Sequence, residues 1–184
     1  MTTHNIEISA QPTPNPNTLK FTVNKVLLES GTADFPTRES AQGSPLAEKL
    51  LEHDHITGVF VGANFVTVTK DPSARWDFLV TSLVQTLKDV LSQEITFVAN
   101  TNVAKGSSEN EIEQKIREIL DAEIIPAVAM DGGDITFHSY HEGIVTLHLR
   151  GACSHCPASA MTLKMGVENR LKELIPEVKE VIQV

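Results

Sequence analysis

The hydrophobic residues in the first half of the chain recur two residues apart in some stretches and three to four apart in others. Alternation over residues 18–23 places Leu19, Phe21 and Val23 on one face and predicts a strand. Two runs rich in β-branched and aromatic residues, 57–61 and 65–69, flank a short segment that contains glycine and asparagine. That arrangement predicts a hairpin around this segment.

Two other stretches of this half have apolar residues at helical spacing. Ser44-Pro45 predicts a helix start, and Asp71-Pro72 predicts the start of a second helix. Residues 29–43 predict a loop, and residues 95–98 predict a last strand. The predicted inner faces are Leu46, Leu50 and Leu51 in the first helix, and Trp76, Leu79, Val80, Leu83, Leu87, Val90 and Leu91 in the second. We expect all of these side chains, including the tryptophan, in a core.

The second half begins with a predicted helix and hairpin. We expect Pro126 to kink or interrupt the helix, and the glycines of residues 131–134 to end it. The runs 135–140 and 144–150 predict a hairpin around Glu142-Gly143. The predicted inner faces are Ile112, Ile116, Ile119, Leu120 and Ile124 in the helix, and Ile135, Phe137, Val145, Leu147 and Leu149 in the hairpin.

A second helix and a closing strand complete this half, which gives the order α-β-β-α-β. Pro157 predicts the helix start, because proline is suited to the first turn, and Pro176 is expected to stop the helix. Apolar residues between 178 and 184 predict the strand. The predicted inner face of the helix contains Ala160, Leu163, Val167, Leu171 and Leu174.

A stretch of small polar residues separates the two halves. Residues 99–108 show little periodicity and predict an interdomain linker, which ends in a capping-box pattern of Ser108 and Glu111. The expected fold class is therefore α+β, with two small α+β domains over residues 1–98 and 109–184.

Charge and composition exclude several partners. A net charge of −9 argues against nucleic acid or an anionic membrane surface as the main partner, and no apolar run is long enough to span a bilayer. The first residues lack the pattern of a secretory signal or a transit peptide. We therefore expect a cytoplasmic protein, or a mitochondrial matrix protein whose transit peptide has been removed.

Both cysteines of the chain lie three residues apart, in a loop between a predicted strand and a predicted helix. Cys153 and Cys156 should lie at the positive end of that helix, which favours thiolate over thiol. From spacing alone, metal or cluster binding and thiol–disulfide exchange are equally compatible with this pair. A structural pair and half of a zinc site also remain open at this stage.

Other residues that could bind metals or partners have ordinary structural interpretations as well. His155, inside the cysteine motif, is expected to occupy a tolerant loop position, and the alternative is a tuning or occasional metal-ligating role. His138 and His148 are expected to be solvated on the polar faces of their strands. Met161 and Met165 fill the core in one interpretation and form a soft partner-binding patch in the other.

Several of these segments resemble a known family. Residues 131–134 (DGGD), 151–157 (GACSHCP) and 175–181 (IPEVKEV) closely resemble the C-terminal domain of NifU, called the Nfu domain. Residues 11–21 (QPTPNPNTLKF) look like the domain often fused ahead of it in Nfu proteins. One departure is His155, at a position where the family commonly has glycine.

The resemblance implies an iron–sulfur cluster scaffold or carrier rather than an enzyme. It implies that Cys153 and Cys156 ligate a [4Fe–4S] cluster that is shared between two chains and passed to apo client proteins. Upstream cluster assembly proteins are the other implied partners. Because a cubane cluster usually takes four thiolates and one chain has two, a second chain or exogenous thiols must complete the ligand set.

Two alternatives are weaker. A thiol–disulfide oxidoreductase also places a CxxC before a helix, but the predicted order α-β-β-α-β is not the βαβ entry of a thioredoxin-like site. A zinc-binding interaction module would need further ligands at zinc-like spacing, and few are present.

Overall fold

The computed structural model describes residues 6–29, 31–93, 111–153 and 157–184, with the side chains of all of these except residues 157–160. The chain divides into two compact units, residues 1–103 and 104–184. The predicted strand 95–98, the predicted linker 99–108 and the Ser108 capping box lie outside the described residues.

The N-terminal unit is an antiparallel sheet covered by two helices, and its strand order is β1-β2-β5-β4-β3. Its strands are β1 Ile8–Pro12, β2 Thr18–Val23, β3 Ala33–Phe35, β4 Ile56–Val61 and β5 Phe65–Lys70, and its helices are α1 Pro45–Leu51 and α2 Trp76–Leu91. The predicted stripe of α1 is fully buried, as are Leu83 and Leu87 of α2, so both helices pack on the face of the sheet that carries Phe21 and Val23.

Two predictions for this unit were wrong. The predicted loop 29–43 contains the edge strand β3, whose three residues are too few to show alternation and which forms by pairing with β4. The second helix begins at Trp76 rather than at Asp71-Pro72, because the Asp71 carboxylate accepts hydrogen bonds from the backbone and hydroxyl of Ser73 and holds a turn there. Trp76 itself is half-buried, packs against the core, and its Nε1–H donates to the Pro16 carbonyl oxygen at 3.0 Å.

The C-terminal unit has the predicted order α-β-β-α-β, which confirms its fold class. The first helical segment consists of α3 Glu111–Ile119, a π-helical turn Leu120–Ile124 and α4 Ile125–Met130, and it is followed by β6 Gly133–His141, β7 Ile144–Gly151, α5 Pro157–Leu174 and β8 Glu180–Gln183. The sheet order is β6-β7-β8, with β7 antiparallel to β6 and parallel to β8. None of the described helices is long and apolar enough to cross a membrane.

The interruption of the first helix occurs one turn before the proline. The backbone N–H of Ile125 bonds to the carbonyl of Leu120, five residues back, instead of four. Pro126 has no N–H and its ring would clash with the carbonyl of an ideal preceding turn, so the wider π turn accommodates it. This confirms the predicted effect of Pro126.

The core of this unit lies between the helices and one face of the sheet. All five predicted inward residues of the hairpin are buried there, and Ile116, Leu120, Val167 and Leu171 pack against them. The prediction for Leu174 was wrong, since its side chain is 44 % exposed. Because α5 ends at this residue, the chain turns and places Ile175 in the core instead.

Candidate functional site

Two glycine-containing turns define the start of the cysteine loop. Residues 131–134 end α4, and Gly132 takes a positive φ of 79° there. Gly151 ends β7 with a φ of 65°, and the next N–H, that of Ala152, donates to the Gly132 carbonyl oxygen at 3.2 Å. This hydrogen bond joins the two turns, and Cys153 is the next residue after Ala152. The predicted helix start at Pro157 is confirmed.

Cys153 is a buried residue of the C-terminal core. Its side chain is 7 % exposed and packs in the same cluster as Ile135 and Leu149. Gly133 lies so close that a Cβ on it would approach the Cys153 sulfur to under 3.0 Å and the Arg150 carbonyl oxygen to 3.0 Å. Only glycine leaves room for the thiol at this position, so the turn 131–134 shapes the site as well as ending α4.

The electrostatic surroundings of Cys153 favour the protonated thiol. The pKa of Cys153 is raised to about 11, mainly by burial of the thiol and further by the carboxylates of Asp131 and Asp134. The expectation that the helix start would favour a thiolate is therefore wrong for this residue. The helix terminus supplies only a partial charge, which desolvation and two nearby negative charges outweigh.

The described part of the site brings Cys153 together with the turn 131–134. The sequence pattern predicts a chain reversal at that turn, but the contact of the turn with the cysteine is not contained in the local pattern. Cys156 and His155 lie outside the described residues. Within the described ranges, no group of three or more histidine, cysteine or carboxylate side chains could hold a metal ion.

The two thiols of the loop can supply half of the ligand set of an iron–sulfur cluster. Each chain offers two sulfur donors, Cys153 and, three positions later, Cys156. Thiolates are the usual ligands of iron in such clusters, and two per chain make half of the usual set. A structural zinc site with four cysteine ligands would likewise need thiols from two chains, so the number of donors alone does not distinguish zinc from a cluster.

Two other pairs singled out in the sequence belong to α5 and to the hairpin of β6 and β7. Met161 and Met165 of α5 are 66 % and 59 % exposed, so the core-filling interpretation is wrong for both. His138 and His148 lie on the outer face of the sheet, as predicted, with their ring centres 4.9 Å apart.

Comparison with known proteins defines the class first. Residues 8–94 match the family described as "Scaffold protein Nfu/NifU N terminal", and residues 116–182 match the "NifU-like domain". These two matches together cover most of the chain and are to the two domains of NifU-type scaffold proteins. The chain belongs to the Nfu/NifU-like family of iron–sulfur cluster scaffold proteins.

Individual relatives are similar over nearly the whole chain. The human protein named "NFU1 iron-sulfur cluster scaffold homolog, mitochondrial" is 40% identical over 181 residues, covering 96% of this chain and 71% of that protein. Arabidopsis thaliana "NifU-like protein 4, mitochondrial" is 41% identical, covering 96% of this chain and 65% of its own length. A solution structure of a NifU-like protein from Saccharomyces cerevisiae is 23% identical, with a TM-score of 0.43, over 47% of this chain and 79% of that one.

Proposed function

We propose that the protein binds a [4Fe–4S] cluster through Cys153 and Cys156 and transfers it to apo iron–sulfur proteins. The observation that carries this proposal is the position of the cysteine pair. Both thiols of the chain belong to one loop between β7 and α5, within the segment that matches the NifU-like domain. The cluster is cargo in this proposal, received from upstream assembly proteins and delivered to clients.

The number of thiols supports a cluster shared by two chains. A cubane usually takes four thiolates, and one chain supplies two. The cluster would then bridge two cysteine loops and contribute the association free energy of a homodimer. The net charge of −9 disfavours association of cluster-free chains, because two acidic chains repel each other. The dimer should therefore depend on the cluster.

The state of Cys153 supports delivery rather than permanent storage. Ligation requires this buried thiol to lose a proton whose pKa is raised to about 11, and to expose its sulfur to iron. Release of the cluster lets the thiol regain both the proton and its apolar surroundings. Each of these changes favours departure of the cargo when a client offers better ligands.

The proposal includes the division of labour along the chain and the compartment. Residues 109–184 form the cluster-binding domain, residues 1–98 an Nfu N-terminal-type domain, and residues 99–108 their linker. The two cores described above are composed of different residues, which supports separate domains. The human and Arabidopsis relatives are named as mitochondrial proteins, which supports the mitochondrial matrix rather than the cytoplasm.

Anaerobic reconstitution with iron and sulfide tests ligation and transfer. Cys153→Ser and Cys156→Ser proteins should each lose the visible absorbance of the cluster, whereas Asp121→Asn, an exposed change on the π turn, should keep it. The loaded protein should restore activity to an apo enzyme that needs a [4Fe–4S] cluster. A full cluster in the Cys156→Ser protein, or tightly bound zinc in its place, would contradict the proposal.

Sedimentation with iron counted in the same sample tests the shared cluster. We expect cluster-free monomers at micromolar concentration, dimers with about four irons per two chains after loading, and monomers again after chelation. A stable monomer with four irons, in buffer without small thiols, would exclude bridging. Efficient turnover in a disulfide reductase assay would instead favour the oxidoreductase.

A further inference from the structure

Two histidines lie side by side on the outer face of the C-terminal sheet. The inward residues of β6 and β7 form the core, so His138 and His148 face away from it. His148 pairs with Thr136 across the two strands, and the strand register shifts between Phe137 and Ser139, at His138. This bulge helps bring the imidazoles together, with ring centres 4.9 Å apart and ring planes at 82°.

That separation permits one metal ion to bind both rings, although edge-to-face packing of two imidazoles gives the same distance. Two imidazoles bound to one ion, with metal–nitrogen distances of about 2.0–2.1 Å and a bond angle near that of a tetrahedron or a square, have ring centres roughly 4.5–5.2 Å apart. The observed 4.9 Å lies in this interval. The ring of His138 is exposed, so a rotation about its side-chain torsions needs no change in the core.

The hydrogen bonds of the two rings leave the same nitrogen available on each. His148 Nδ1 lies 2.9 Å from the carbonyl oxygen of Val184, which can only accept, so Nδ1 carries the hydrogen and the neutral ring has its lone pair on Nε2. His138 Nδ1 is 3.1 Å from the hydroxyl oxygen of Ser139. An Nδ1–H bonded to a backbone carbonyl is also the arrangement that orients a metal-ligating histidine and raises its basicity.

We propose that His138 and His148 form a binding site for one divalent first-row transition-metal ion, held through both Nε2 atoms. Imidazole donors suit copper, nickel and zinc, and a two-nitrogen site of this kind should prefer Cu²⁺ in the usual order of stability. Water completes the coordination, because no third histidine, cysteine or carboxylate joins the pair within the described residues. The site is separate from the cysteine loop, since Cys153 packs in the core on the other face of the sheet.

The ion would also act on the strand β8 of this sheet. Binding at Nε2 fixes the Nδ1–H tautomer of His148, which is the form that donates to Val184. Val184 follows β8 directly, and its own N–H donates to Leu147 of β7 at 3.0 Å. We therefore expect metal binding to stabilise the docking of β8 on β7.

The test uses the full chain with Cys153→Ala and Cys156→Ala, so that no thiol competes for the metal. Calorimetric titration with Cu²⁺ and with Ni²⁺ should show one ion per chain, and nuclear magnetic resonance with Zn²⁺ should shift the ring signals of His138 and His148. His138→Ala and His148→Gln should each weaken binding by at least about tenfold. His141→Ala, an exposed change at the end of the same strand, should leave binding unchanged.

The variants separate a site from a packing contact. His138→Ala removes an exposed ring and should fold normally, while the glutamine at position 148 keeps an N–H that can reach the Val184 carbonyl. Absence of stoichiometric binding in the cysteine-free protein would overturn the proposal. So would equal affinity in the His138→Ala and His148→Gln proteins, or a loss of binding in the His141→Ala control.

Discussion

The protonation state of Cys153 is the property of the site that can be tested most directly. In a Cys156→Ser protein it is the single thiol, so its ionisation can be followed by its rate of alkylation with iodoacetamide as a function of pH. The pKa of the thiol is raised from 9.0 to about 11. At pH 8 the thiolate fraction is then about one in a thousand, against about one in ten for an unshifted thiol, so alkylation should be about 100-fold slower from ionisation alone.

The same shift makes stability depend on pH in the alkaline range. The folded pKa is the higher one, so the thiol contributes stability that is complete below about pH 9 and is lost as pH rises through about 11. A rise of about 2 in pKa corresponds to about 3 kcal/mol for this buried group. A Cys153→Ala protein should lack this part of the alkaline destabilisation.

Variants of the neighbouring carboxylates identify the cause. Asp131→Asn and Asp134→Asn should each lower the pKa of Cys153, but less than complete exposure would, because burial is the larger cause. Asp121→Asn, on the π turn, is the control and should change nothing. Alkylation of the chain unfolded in guanidinium gives the reference value. An apparent pKa in the folded protein at or below that reference would refute the reasoning. It would instead support the expectation that the positive end of α5 favours the thiolate of Cys153.

Two further predictions concern packing and strand docking. Gly133→Ala should lower the free energy of unfolding by about 1–3 kcal/mol, because its methyl would collide with the buried thiol. Gly166→Ala on α5 is the control, since a methyl there meets open space and should stabilise the helix by up to about 1 kcal/mol. Equal melting temperatures of the two variants would contradict this prediction. Glu168→Ala should cost roughly 1 kcal/mol or more, because the carboxylate accepts the Val181 N–H at 3.0 Å and thereby holds β8 to α5. The pKa of Glu168 is lowered, first by the Lys172 side chain and then by that N–H, so this contribution should be present near neutral pH and be lost in acid, as chemical denaturation at two pH values would show.

The parts of the fold that could be predicted from sequence are those set by local pattern. The strand 18–23 was predicted to the residue because its alternation is strict and one face is buried. The effect of Pro126 and the chain reversal at residues 131–134 follow from backbone chemistry that does not depend on distant neighbours. Those features were confirmed.

The features that were missed depend on distant parts of the chain. β3 exists because Ala33 and Phe35 pair with β4, more than twenty positions later, and its three residues are too few for their alternation to indicate a strand. The exposure of Met161 and Met165 depends on which face of α5 meets the sheet. Neither fact is contained in the spacing of the residues concerned.

The chemistry of the site also depends partly on local sequence and partly on distant contacts. The sequence predicted a cysteine at a helix start, and the local rule for that position favours a thiolate. The structure reverses the preference at Cys153 because the turn 131–134, about twenty residues earlier, buries the sulfur and supplies two carboxylates. The local motif therefore identifies the candidate ligand, whereas the ionisation of its thiol depends on the fold.

At Cys153 the helix start favours a thiolate, while burial and two carboxylates favour the protonated thiol. This balance affects how tightly a shared cluster would be held. The raised pKa of Cys153 makes loss of its proton less favourable than in an ordinary cysteine, so two chains that each ligate through it would hold a bridging cluster less tightly. A resident cofactor gains nothing from such a penalty. A carrier gains from weaker binding, because it must hold the cluster tightly enough to accept it and weakly enough to release it to a client. In the proposed cluster-bound form, the glycines and aspartates of residues 131–134 would favour release of the cluster, while Cys153 and Cys156 would hold it.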